Sequence, residues 1–143
     1  MNGRLDFFDT NLIVAASVPD HPHHPECHAR LAKLRMAGGS CSTHSLAEAY
    51  GTLTNLGRYG FPPSIAFEII EDVRDAFDIV TLTTKEYMAA IKAAAILGTK
   101  GPEIYDALLI ACARKIGARR IYTKNVKHFR QVAPDLASSI VEP

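Results

Sequence analysis

Asp106 is set in the run Ile104-Tyr105-Asp106-Ala107-Leu108-Leu109-Ile110-Ala111-Cys112-Ala113. That run reads as a helix apolar on nearly every face, and so as a buried one. A carboxylate buried there is costly unless it is paired or bound to a metal ion. Glu103 lies one turn earlier on the same face. A second reading stands beside this one: an acid in the first turn of a helix is favoured by the helix dipole. Asp9 follows Leu5-Asp6-Phe7-Phe8, which reads as a strand, and Thr10 and Asn11 complete its exit. Thr123 and Asn125 follow Arg120-Ile121-Tyr122 in the same way. In open parallel sheets, ligands sit beyond the carboxyl ends of the strands. Two polar exits on neighbouring strands would therefore make a site. The alternative for Asp9 is a cap on the helix that begins near Asn11.

Glu48 reads differently. Leu46, Tyr50 and Leu53 supply an apolar stripe to a helix over roughly 46–57, and Glu48 falls on the opposite face with Thr52 and Asn55. Ser45-Leu46-Ala47-Glu48 also matches a capping box, with Glu48 bonding the backbone of Ser45. Taken alone, Glu48 is a structural residue.

The elements around these residues alternate. A helix from Pro25 to Met36 is stopped by Gly38-Gly39, and Ser40-Cys41-Ser42 is a short strand. Ser64 to Ala76 is a helix and Asp78 to Leu82 a strand. Thr84 caps a helix that ends near Gly98, and Glu103 to Ile116 is a helix closed by Gly117. Val126 to Arg130 is a helical turn and Ser139-Ile140-Val141 a last strand. Strands alternating with helices predict an α/β sandwich around a mostly parallel sheet. A chain of 143 residues with no repeat or linker predicts one domain over 1–143.

Apolar residues at 48% and charged residues at 22% exclude a disordered chain. The net charge of +1 excludes neither nucleic acid nor protein as partner, because local clustering matters more. Three widely spaced cysteines, Cys27, Cys41 and Cys112, argue against a disulfide framework and for a reducing cytoplasm. Neither a signal peptide nor a membrane span is expected.

The acidic motifs, taken together, resemble one family. Phe7-Phe8-Asp9-Thr10-Asn11 resembles the opening motif of PIN domains, and Ser45-Leu46-Ala47-Glu48 their second acidic motif. The run from Ile104 to Ala113 resembles the third, and Tyr122-Thr123-Lys124-Asn125-Val126-Lys127-His128-Phe129 the fourth. The length is that of VapC-type toxins. The resemblance implies a three-layer α/β/α sandwich with a five-stranded parallel sheet. It implies a metal-dependent endoribonuclease, the toxin of a type II toxin–antitoxin pair, acting on RNA and paired with a cognate antitoxin. It also implies a homodimer. Mg²⁺ or Mn²⁺ would be held by Asp9, Glu48 and Asp106, with Asn125 as the fourth site position and Thr10, Asn11 and Thr123 as accessory residues. Glu103 is a further accessory candidate by its place on the same helix face as Asp106, which the family motif leaves open. Clustered carboxylates repel one another, and a divalent cation removes that penalty. Hard oxygen ligands select Mg²⁺ or Mn²⁺ over zinc. Such an ion lowers the pKa of a bound water and stabilises charge on a phosphodiester.

Between Asp106 and Asp135 no acidic residue occurs, while Lys124, Lys127 and Arg130 fall near the expected site as candidate RNA contacts. His128-Phe129 reads as a packing pair. His21-Pro22-His23-His24-Pro25-Glu26-Cys27-His28 matches no standard zinc spacing and reads as a solvated loop. Tyr59, Phe61, Phe67 and Leu56 are candidates for an exposed apolar surface. Two competing functions are a PIN-like RNA- or protein-binding module and a phosphoacceptor receiver domain. The receiver would need an acid after a central strand, which Asp78-Ile79-Val80-Thr81-Leu82 does not provide.

Overall fold

The computed structural model describes residues 6–143. Five parallel strands form one sheet in the order β3-β2-β1-β4-β5. They are β1 (Asp6–Phe8), β2 (Ser40–Ser42), β3 (Asp78–Val80), β4 (Arg120–Tyr122) and β5 (Ile140–Val141). The helices are α1 (Thr10–Ser17), α2 (His24–Ala37), α3 (Thr43–Thr54), α4 (Pro63–Ala76), α5 (Thr84–Ile96), α6 (Glu103–Lys115) and α7 (Val126–Val132). Leu5, expected to open the first strand, lies outside the described residues. None of the described helices is long and apolar enough to cross a membrane.

The sheet separates two cores, because successive side chains of a strand point to opposite faces. Phe8, Cys41 and Tyr122 join α1 to α4 on one face. Phe7, Ile121 and Ile140 join α6 and α7 on the other. The three-layer sandwich expected from the resemblance is the one observed. The chain builds β1, β2 and β3 outward in one direction, then crosses to β4 and β5 on the other side of β1. The sheet's switch point therefore lies between β1 and β4, where ligands of such sheets bind.

Several local expectations change. The strand β3 ends at Val80 rather than Leu82. Thr83, not Thr84, caps α5, and it does so in a reciprocal capping box with Glu86. The helix α3 begins at Thr43, three residues before the apolar stripe suggested, and ends at Thr54. Its buried residues are Ser45, Ala49 and Leu53, whereas Tyr50 is exposed and Leu56 lies outside the helix almost fully in solvent. Small residues face the core there because α1 and α4 pack close against α3. The His-Pro segment leads into α2 at His24, with Pro25 in the first turn. Tyr59 and Phe61 are half-buried against the helical core, while Phe67 and Leu56 are exposed.

Candidate active site

Asp9 stands one residue beyond β1, and its amide extends the ladder to the carbonyl of Tyr122 at 2.9 Å. Its side chain is 2% exposed and makes no capping hydrogen bond to α1. The amide of Asn11 stands near enough to favour the charged form, but not in capping geometry. The expected cap is thus absent. The side-chain donor to Asp9 is the Thr123 hydroxyl, 2.8 Å from Oδ2, reaching across from the exit of β4. Thr123 is itself fully buried and is fixed by the Asn125 amide, which donates to its Oγ1 at 2.9 Å. Thr10 is buried alongside and donates to Ser45 Oγ at 2.7 Å, which ties the start of α1 to the first turn of α3.

Burial pushes the Asp9 carboxyl up to about 7; the Thr123 hydroxyl opposes this, and the charges of Asp106 and Glu48 add to it. Among the described residues no cation bonds Asp9. The other buried acid of the same strand, Asp6, is met by Arg119 at 3.2 Å. One end of β1 therefore holds a compensated carboxylate and the other an uncompensated one.

Asp106 is half-buried in the opening turns of α6, so its place suits the helix dipole, and it lies within electrostatic range of Glu48. Burial raises its carboxyl, a bond to His128 opposes the shift, and Glu48 and Glu103 add to it. His128 Nδ1 lies 2.7 Å from Asp106 Oδ2, and its Nε2 lies 3.8 Å from Glu103. His128 is thus a site residue rather than half of a packing pair; only Phe129 is buried in the core.

Glu48 is not part of a capping box. Ser42 caps α3 by accepting from the His44 amide at 3.0 Å, which places Glu48 well past the first turn. From there it is half-buried, close enough to Asp9 and Asp106 to raise both, and its Oε2 lies 3.2 Å from His44 Nε2. The His44 ring stacks on Tyr105 of α6, with centroids 4.9 Å apart. Asn125 and Asn11 are exposed at the same end of the sheet and share a groove with Glu48.

Asp9, Glu48 and Asp106 therefore converge from β1, α3 and α6 at the switch point. They converge to electrostatic range. Among the described residues, no group of three or more His, Cys, Asp or Glu side chains is drawn close enough to hold a metal ion. Two of the three carboxylates are instead held by histidines. The donor set still suits a hard divalent cation, since it consists of anionic oxygens, one of them buried without counter-charge.

The basic candidates divide. Lys124 is mostly buried and lies 3.3 Å from both Glu26 and Glu142. Arg130 donates to the carbonyls of Ala137 and Ile140, at 3.1 and 2.8 Å, and so fastens α7 to β5. Both are occupied in holding the fold. Lys127 is exposed and has no ion-pair partner among the described residues.

The family model for the PIN domain matches residues 7–134. No curated protein matches the chain. Among solved structures, the chain is similar to VapC20 of Mycobacterium tuberculosis, a toxin that cleaves the sarcin–ricin loop. The identity is 18%, the TM-score 0.69, and the match covers 86% of this chain and 92% of that one. At that identity the likeness speaks for the fold. The family model runs from β1 past the end of α7 and takes in Asp9, Glu48, Asp106 and Asn125, and the chain belongs to the PIN domain family.

Proposed function

We propose that the chain is a metal-dependent endoribonuclease, the toxin of a type II toxin–antitoxin pair, which hydrolyses RNA phosphodiester bonds. The observation that carries this reading is Asp9: a buried carboxylate at the switch point, facing two further acids and bonded by no cation among the described residues. The charged form of an acid buried in such company is unfavourable unless a bound cation supplies the missing charge. Membership of the PIN family and likeness to an RNA-cleaving toxin support the same reading.

Asp9, Asp106 and Glu48 are the residues proposed to hold Mg²⁺ or Mn²⁺. When bound, the ion supplies a water of lowered pKa and a counter-charge for the phosphate. Thr123 holds Asp9 in one orientation and favours its charged form. His128 and His44 restrain Asp106 and Glu48 until the ligands are drawn together. Asn125 and Asn11 stand where they can bond the RNA backbone, and Glu103 sits behind His128. Lys127 is the free cation nearest these groups in sequence. A cognate antitoxin, a homodimer and a cytoplasmic location belong to the same reading. The exposed Tyr87, Met88 and Ile91 of α5 support the dimer, as an apolar surface a second copy could cover.

The test is cleavage of single-stranded RNA by the purified chain with Mg²⁺ or Mn²⁺, and its arrest by a chelator. Cleavage undiminished in excess chelator would contradict the reading. In cells, expression alone should arrest growth, and a small protein encoded next to it should relieve the arrest.

A further inference from the structure

A groove of about 440 Å³ opens beside Glu48. Its volume is that of a pocket for a small molecule or a single residue of a polymer, roughly 300–1,000 Å³. Its walls carry the site candidates Asn11, Glu48 and Asn125, and with them Arg58, Tyr59 and His21, which the mechanism above does not use.

Arg58 and Tyr59 lie on the turn between α3 and α4. The carbonyl of Asn55 accepts from the amides of Arg58, Tyr59 and Gly60 at 3.1, 3.1 and 2.9 Å. The Asn55 side chain accepts from Gly57 at 2.8 Å, and Phe61 closes the turn by donating to Leu53 at 2.8 Å. Gly60 takes φ +59°, which a side chain would resist. The turn is thus set before any ligand arrives. Tyr59 is half-buried, with part of its ring on the helical core. Arg58 is exposed and has no carboxylate partner among the described residues, unlike Lys124 across the groove. Its guanidinium lies 5.5 Å from the Tyr59 ring, which keeps cation and ring together.

His21 approaches from the loop between α1 and α2, with its ring 6.3 Å from that of Tyr59. The His23 amide donates to His21 Nδ1 at 3.0 Å, so the ring proton resides on Nε2. The groove therefore offers an unpaired guanidinium, two rings and a ring N–H donor. Unpaired RNA bases are recognised by stacking on such rings, with the phosphate met by a cation. An acidic peptide would use Arg58 and leave the rings idle.

We propose that this groove is a subsite for one unpaired nucleotide beside the scissile bond, Arg58 holding its phosphate and Tyr59 and His21 its base. The proposal rests on the nuclease reading above.

The test compares wild type with Arg58→Ala, Tyr59→Leu and Tyr59→Phe in the full chain with Mn²⁺. The substrates are a short single-stranded oligoribonucleotide of mixed sequence and the same strand annealed to its complement. Tyr59→Leu should raise KM for the single strand about tenfold with kcat little changed. Tyr59→Phe, which keeps the ring, should behave as wild type. Arg58→Ala should flatten the salt dependence of KM by about 0.7 in log–log slope, the share of one phosphate on a single strand. Thermal unfolding of each variant checks the fold. If Tyr59→Leu unfolds, the exposed Arg58→Ala still decides. Wild-type KM and salt slope in variants of an enzyme that cleaves would overturn the subsite, and leave the groove to a protein partner. Equal losses in Tyr59→Leu and Tyr59→Phe, or equal losses on the duplex, would overturn it too. A wild-type chain that cleaves no RNA would overturn the nuclease reading itself, and the subsite with it.

Discussion

Thr123 and Asp9 meet across the switch point of the sheet, Oγ1 to Oδ2 at 2.8 Å, both buried. The bond joins the exits of two adjacent parallel strands, β4 and β1, and turns a register into a site. Thr123→Val keeps the shape and removes the hydroxyl. A hydrogen bond to a charged group is worth about 1.5–3 kcal/mol. The variant should therefore bind Mn²⁺ roughly tenfold or more weakly by calorimetry, while the fold persists. Unchanged Mn²⁺ affinity would show that Thr123 serves only the backbone of Asn125.

The raised carboxyl of Asp9 carries a pH signature. Between the usual carboxylate range and about pH 7, folded Asp9 keeps its proton while the unfolded chain has lost it. The folded state then binds more protons, so stability of the metal-free protein falls as pH rises through that window. The slope reaches at most about 1.4 kcal/mol per pH unit. Asp106, also raised, acts in the same direction. His21, whose imidazole burial and the neighbouring His23 and Arg58 hold below its usual range, acts in the opposite one. The comparison is therefore with Asp9→Asn, which keeps both. Denaturant unfolding from pH 5 to 8 should show the wild type losing stability relative to Asp9→Asn. Parallel curves would contradict the uncompensated carboxylate.

Two substitutions, one at the cap of α3 and one within it, separate cap from site. Ser42→Ala removes the observed cap and should cost about 1 kcal/mol of stability. Glu48→Gln keeps size and hydrogen bonding but loses the charge. It should unfold as wild type does and lose most metal-dependent cleavage. Cleavage at the wild-type rate would leave Glu48 as a partner of His44 and nothing more.

The basic residues after β4 should separate likewise. Lys124→Ala and Arg130→Ala should lower the melting temperature, since each removes bonds that fasten neighbouring elements. Lys127→Ala should leave it unchanged and reduce the salt slope of RNA binding by about 0.7. An unchanged slope would assign Lys127 to the solvated surface.

Much of this was legible in the chain. Asp9 and Thr123 stand at strand exits, and alternation with helices is enough to make those strands parallel; that β1 and β4 are neighbours belongs to the strand order, which the fold supplies. The apolar length of α6 pointed to a buried Asp106, which at the helix's first turn is in fact half-buried beside His128. The capping-box reading of Glu48 failed because the helix starts earlier than its large residues suggest: Tyr50 is exposed and Leu56 lies beyond α3, while Ser45 and Ala49 face the core. Packing space between α1, α3 and α4 sets that choice, and it is a tertiary property. His44 had a local signal, being four residues before Glu48 on a helix. His128 had none: its partner Asp106 lies on another helix, and only the fold of α7 against α6 joins them. The pairing of Lys124 with Glu26 and Glu142 was hidden for the same reason.

The central claim is that Asp9 is buried for a cation's sake and not for the fold's. Asp9→Asn removes the charge and keeps the shape, so RNA cleavage in Mn²⁺ and unfolding free energy can be measured on one preparation at pH 8. The account predicts a protein as stable as wild type or more so in the absence of metal, gaining no stability from Mn²⁺ and cleaving no RNA. A variant that cleaves at the wild-type rate, or that Mn²⁺ still stabilises fully, would contradict it.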